Sequence, residues 1–343
     1  MKVSKLALQE ALEKVKPGLA GKELIEQSTS FCFMGDRVVT YNDEISVSHP
    51  VEGIYLTGAV RAKELYEFLG RVKNDEIDLE PNGGQLVITA GRSKAGLVME
   101  AEVRLPIDEE IGEVKEWKNL PDGFTEALAF CYPCCSRDMS RPVFTCVSVG
   151  KKEVQATDTY QAVRYELSDV LPVQPFLIPS SSVKELVKYD VKEIAEGGNW
   201  IHFRTDDGTI FSSRTVENEF PETSHIFRVE GKEFVFPQGT EEVLRRAEVF
   251  SKSEIETEKL PVVRVGIENG KMSFRAKNEY GWFEELIEIE YNGKPVLFSI
   301  GIEFLQDMLA KLRQCMIGEG KICFSGDNWK HVIAIMASKG DEE

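Results

Sequence analysis

Apolar residues in this chain recur at helical spacing in a few short windows and alternate with polar ones through most of the rest. The clearest windows are RAKELYEFLGRVK (61–73), SSVKELVKYDVK (181–192) and IEFLQDMLAKLRQ (302–314). Leu65, Phe68, Leu69 and Val72 share one face of the first, and Val183, Leu186 and Val187 one face of the second. Leu305, Met308, Leu309 and Leu312 do the same in the third. The spacing predicts three amphipathic helices, each preceded by a strand-like run. A further helix opens each third of the chain, at 4–16, 122–132 and 240–252.

Turn signals set the strands. Asn82-Gly83, Asp207-Gly208, Asn269-Gly270 and Asn292-Gly293 each sit between alternating runs and predict hairpins. Ser182 followed by Glu185 predicts a capping box, which makes the triple serine a helix start and not a nucleophile. The matching leucines Leu65, Leu186 and Leu305 lie 121 and 119 residues apart. Near-equal periods point to three domains of one α+β architecture, at 1–120, 121–230 and 231–343.

Charge changes the picture in one respect. The net charge is -17, spread as -6, -6 and -5 over those thirds, so there is neither an acidic tail nor a basic domain. Yet the polar faces of the helices lean basic: Lys2 and Lys5, Arg71 and Lys73, Lys184 and Lys188, Arg245 and Arg246, Lys311 and Arg313. Any nucleic-acid contact must come from such local arrangement.

The candidate chemistry is sparse. Seven cysteines with no signal sequence fit a reducing compartment and a cytoplasmic protein, and no apolar run is long enough to span a bilayer. Cys131, Cys134 and Cys135 lack the second ligand pair that a structural zinc needs, so they read as buried helix-end residues. The histidines, His49, His202, His225 and His331, are scattered singly. No phosphate loop, dinucleotide fingerprint, nucleophile elbow or zinc-protease motif is present, and neither a cofactor nor a metal is expected. Asp158, in VQATDTYQAVRYEL, stands at the end of a strand with no histidine or second carboxylate near it in sequence. It reads as a turn former, not a catalytic group.

The order of four segments carries a family resemblance. RPVFTCVSV…EVQATDTYQAVRYEL, LIPSSSVKEL, FSSRTVENEFPE and FRAKNEYGWFEELIEIEYNGKPVLFSIGIEFLQDML together resemble the bacterial DNA polymerase III beta sliding clamp family, in a divergent version of the kind a phage could encode. The resemblance implies a DNA-clamp fold with three repeated domains, helices lining a central hole and sheets outside. It implies a head-to-tail homodimer around double-stranded DNA, bound without sequence preference, with a replicative polymerase and a clamp loader as partners and no catalysis. Strand edges for the joint are expected in 97–106 and 271–276.

By matching positions, the resemblance also implies a partner-peptide pocket. Its wall is Phe144, its rim the turn Thr157, Asp158, Thr159, Tyr160, Gln161 and Ala162, and its far side Val332, Ile333, Ala334 and Met336. TDTYQA stands where the family has a Gly-His-Arg-Leu turn, so either a different peptide or a partly degenerate pocket is expected, and on the residues alone 332–336 reads equally well as a plain buried strand. Lys22, Arg137 and Arg141 fall in loops that approach DNA in the family, and join the helix cations as DNA-facing candidates. Two other readings stay open on the residues alone. One is a monomeric clamp-fold scaffold that binds only proteins, the other an enzyme without a recognisable motif.

Overall fold

The computed structural model describes residues 1–111, 114, 116–252 and 260–337. Among the described residues six α-helices form where the apolar spacing places them: α1 (Lys5–Val15), α2 (Ala62–Arg71), α3 (Phe124–Cys131), α4 (Ser180–Leu186), α5 (Thr240–Glu248) and α6 (Ile302–Leu309). They pack as consecutive pairs, α1 on α2, α3 on α4 and α5 on α6. Each pair buries the stripe read from the sequence. Leu8, Leu12, Leu65 and Leu69 are sealed in the first, Leu128, Val183 and Leu186 in the second, and Leu244, Leu305 and Met308 in the third.

The chain divides into two compact units. The first comprises 1–133, 146–154 and 167–219. One antiparallel sheet runs through it, in the strand order 2–4, 76–82, 85–90, 93–100, 56–61, 30–35, 37–41, 45–50, 210–214, 200–205, 191–197 and 118–119. Ile45–Pro50 pairs with Ile210–Arg214, Val47 opposite Phe211, so the first two sequence repeats share a sheet. Strand 146–149 pairs with 176–179.

The second unit comprises 134–145, 155–166 and 220 onward. Its sheet runs 161–166, 329–337, 296–301, 262–268, 271–278 and 281–288. Strands 231–235, 314–318 and 321–325 join the same long strand, Trp329–Ala337. That strand forks. Its first half lies between 161–165 and 321–325, and its end turns to pair with 298–300.

The structure departs from several of the sequence expectations. α4 stops at Leu186, because the apolar residues that follow begin a strand at Val191. α6 likewise ends at Leu309, before strand 314–318. The capping box does not form: Ser181 and Ser182 lie inside α4 and both donate to Glu44 Oε1, at 2.5 and 2.8 Å. Asn269 and Gly270 make a hairpin with φ of 50° and 73°. The turn at Asn292-Gly293 makes none, since 281–288 pairs with 271–278 while 296–301 crosses to 262–268. Strand 271–278 is therefore interior, and 281–288 is the edge. In Ser93–Glu100, a second partner strand reaches only Met99 and Glu100, so the rest is an open edge.

Candidate functional site

A cavity of about 380 Å³ opens in the second unit. Phe144, Ala162, Val332 and Ala334 give it an apolar wall, and Thr157, Thr159, Tyr160 and Gln161 its rim. The rim is held by its own side chains. Asp158 Oδ1 accepts the backbone N–H groups of Tyr160 and Gln161, both at 2.8 Å, and Oδ2 accepts Gln161 Nε2 at 3.0 Å. Thr157 Oγ1 donates to the Gln161 carbonyl (2.6 Å) and accepts from the Thr159 N–H (3.1 Å). Thr159 is driven to φ 80°, a conformation that a β-branched residue adopts only under constraint. The Tyr160 carbonyl then takes the Ala334 N–H at 2.8 Å, tying the turn to the forked strand. Asp158 is thus fully engaged as a turn former.

Behind the rim lies a buried polar chain. Gln161 gives its amide N–H to Asp158, so its Oε1 accepts from His331 Nε2 at 2.9 Å, which fixes the tautomer of the imidazole. Cys134 Sγ stands 3.8 Å from the same nitrogen. Cysteine beside histidine is a catalytic pairing only when a thiolate can form. Here burial holds the Cys134 thiol up at about 12 and His331 down at about 3. Both groups are neutral at physiological pH, and the chain supports the rim without moving protons.

Not every residue expected at the pocket faces it. Side chains alternate along a strand, so Val332 and Ala334 line the cavity while Ile333 turns into the core beside Phe324 and Ile322. Met336 is exposed and stands outside the lining. Sequence reasoning missed the opposite wall, Pro221, Glu222, Thr223, His225 and Ile226, although FSSRTVENEFPE ran into it. It also missed Lys321.

The basic candidates separate into two groups. Lys2, Arg71, Lys188 and Arg246 pair with Glu76, Glu67, Glu185 and Glu285, and Lys5 donates to the Val72 carbonyl. Lys22, Lys73, Arg137, Arg141, Lys184, Arg245 and Arg313 are exposed and take no carboxylate among the described residues. Lys311 is exposed as well. Cys131 and Cys134 are buried at the end of α3 and just after it. No group of three or more metal-ligating side chains converges among the described residues.

A larger cavity, about 830 Å³, lies in the first unit between α1 and the end of α4. Its cations are all engaged: Lys14 with Asp207 (2.5 Å), Lys16 with Glu13 (2.8 Å) and Lys188 with Glu185 (2.6 Å).

No family model matches the chain. A beta sliding clamp of Pseudomonas aeruginosa is 25% identical over 270 residues, covering 73% of this chain and 71% of its own. The crystal structure of the DNA polymerase III subunit beta from Pseudomonas aeruginosa superposes with a TM-score of 0.81 at 19% identity, over 98% of this chain and all of the other. The beta subunit from the DNA polymerase of Streptococcus pyogenes gives a TM-score of 0.83 at 18% identity, over 98% of this chain and 99% of that one.

Proposed function

We propose that this chain, a divergent relative of the bacterial beta sliding clamps, is itself a DNA sliding clamp: a non-enzymatic processivity factor that encircles duplex DNA and tethers the replicative polymerase. The observation that carries this reading is the clamp fold over 98% of the chain, joined to sequence similarity with named beta sliding clamps over 270 residues. The three helix pairs support the assignment of 1–120, 121–230 and 231–343 as repeated clamp domains. The small cavity is the natural seat for a partner peptide, with apolar walls and a rim of fixed polar groups.

A ring requires two protomers joined head to tail, which closes when the rotation between them permits it. The two open edges suit that joint. Trp282 and Leu286 stand exposed on 281–288, and Val98 on 93–100, as interface side chains do before assembly. DNA is then held through phosphate contacts and retained by closure, so a net charge of -17 is no obstacle. A polymerase and a clamp loader are the partners this role requires.

The test is topological. A ring loaded on nicked circular DNA stays bound and is lost when the circle is cut; equal loss from both forms rejects encirclement. Light scattering should give a dimer at micromolar concentration, and a strict monomer would favour a protein-binding scaffold instead. Lys184→Glu should weaken DNA association and lower the salt slope by about 0.9 per phosphate contact removed. Lys188→Glu should do less, since Glu185 already holds that ammonium at 2.6 Å.

A further inference from the structure

The wall that the sequence did not reveal contains a cation with an unusual setting. Lys321 begins strand Lys321–Ser325, and its side chain is half-buried against the small cavity. Its Nζ donates to the carbonyl oxygens of Ile226 (2.9 Å) and His225 (3.2 Å). Among the described residues no carboxylate comes within ion-pairing distance of it. Glu222, on the same wall, accepts the Ser224 N–H at 2.6 Å within its own loop.

An ammonium has three donors, and two carbonyls leave one of them for solvent. The two bonds also hold the charge in place before any ligand arrives, which lowers the ordering cost of a contact to it. A purely apolar occupant lying on Phe144, Ile226 and Val332 would strip water from this ammonium and return nothing. An occupant that brings a carboxylate to Nζ replaces the lost water with a charge-assisted bond. The same group that attracts one class of peptide therefore rejects the other.

We propose that Lys321 is a specificity-determining residue of the pocket, selecting peptides that place a carboxylate beside a large apolar side chain. The inference rests on the peptide-pocket reading above. The carboxylate comes from an aspartate or glutamate side chain or from the peptide's own C-terminus, and the anchor chemistry is the same.

Three synthetic peptides with one apolar core test this on the full-length protein by calorimetry. The first carries aspartate and an amidated end, the second asparagine and an amidated end, the third asparagine and a free carboxylate. At least one acidic peptide should bind about ten-fold tighter than the neutral one, and which of them does so identifies the source. Lys321→Met should erase that preference, with the neutral peptide binding no more weakly than it binds the wild type, and Lys321→Arg should keep most of it. Thermal unfolding of each variant checks that the strand still folds. No preference in the wild type, or an equal loss for all three peptides in Lys321→Met, overturns the assignment. If no peptide binds the wild type, the pocket reading itself falls and the selectivity with it.

Discussion

The two cavities invert the usual expectation about size. One groove of the first unit is about 830 Å³ and the rim pocket of the second about 380 Å³, yet it is the smaller one that the proposed function assigns to a ligand. In the groove each lysine already has a carboxylate, and Lys16 also lies over the Tyr66 ring at 3.8 Å. A ligand there would have to break pairs in order to make them. In the pocket the polar groups of the rim are spent on fixing the turn, the walls are mostly apolar, and the Lys321 ammonium, bonded to two carbonyls, has no ion-pair partner among the described residues although Glu222 lines the same wall. Volume measures room. What distinguishes a site is interaction that the fold leaves unmade.

Acid should affect both regions, and by the largest amount. Each has a neutral buried histidine at its back: His49, bonded to Thr209 Oγ1 at 2.8 Å, and His331, bonded to Gln161 at 2.9 Å. Burial lowers His49 to about 4 and His331 to about 3, from 6.5. Above pH 6.5 both folded and unfolded states are neutral, so the histidines contribute no pH dependence. Below it the unfolded chain gains protons that the folded one refuses, and stability falls by about 2 kcal/mol per histidine by pH 5. His202, lowered to about 4 by burial alone, adds a third increment. Chemical denaturation at pH 7 and pH 5 measures the sum, and His331→Gln should reduce the difference between the two. A stability unchanged over that interval would mean that these side chains are solvated. Carboxylates respond in another window: Asp207, held low by Lys14, Thr205 and Thr209 against the cost of burial, loses its contribution only as pH falls below the ordinary carboxylate range.

Removing the rim's anchor should separate the regions. Asp158→Ala deletes three accepted hydrogen bonds and leaves Thr159 strained with less to hold it. A loss of about 1–3 kcal/mol in stability is expected, with peptide affinity falling ten-fold or more while DNA retention persists. Calorimetry and the circular-DNA assay read the two outcomes separately. If peptide binding survives, the turn is not the rim of the site.

The pattern of hydrophobic positions made all six helices legible, and the order of motifs made the turn at Asp158 legible. Both are local. What escaped was set by distant pairing. Asn292-Gly293 has hairpin chemistry, but strand 296–301 finds 262–268, so the turn becomes part of a crossover. Val332, Ile333 and Ala334 form one apolar run, and only the forked pairing of their strand decides which of them faces the pocket. Lys321 carries no signal at all in sequence. A single lysine opening a strand becomes a candidate anchor only because the chain returns His225 and Ile226 to its ammonium.

The smallest expected effect is the one that best tests whether the groove is closed. Lys14→Met removes an ion pair whose partners are 39% and 47% exposed, so solvent and salt already screen most of its energy. Less than about 1 kcal/mol of stability should be lost, and peptide binding should not change. The substitution also removes a positive charge that helps to keep His49 neutral. His49 should then titrate closer to its unfolded value, and the acid-induced loss of stability should shrink slightly instead of growing. A fall in peptide affinity on Lys14→Met would break the comparison, because it would give the groove a share in a site that the pocket should hold alone.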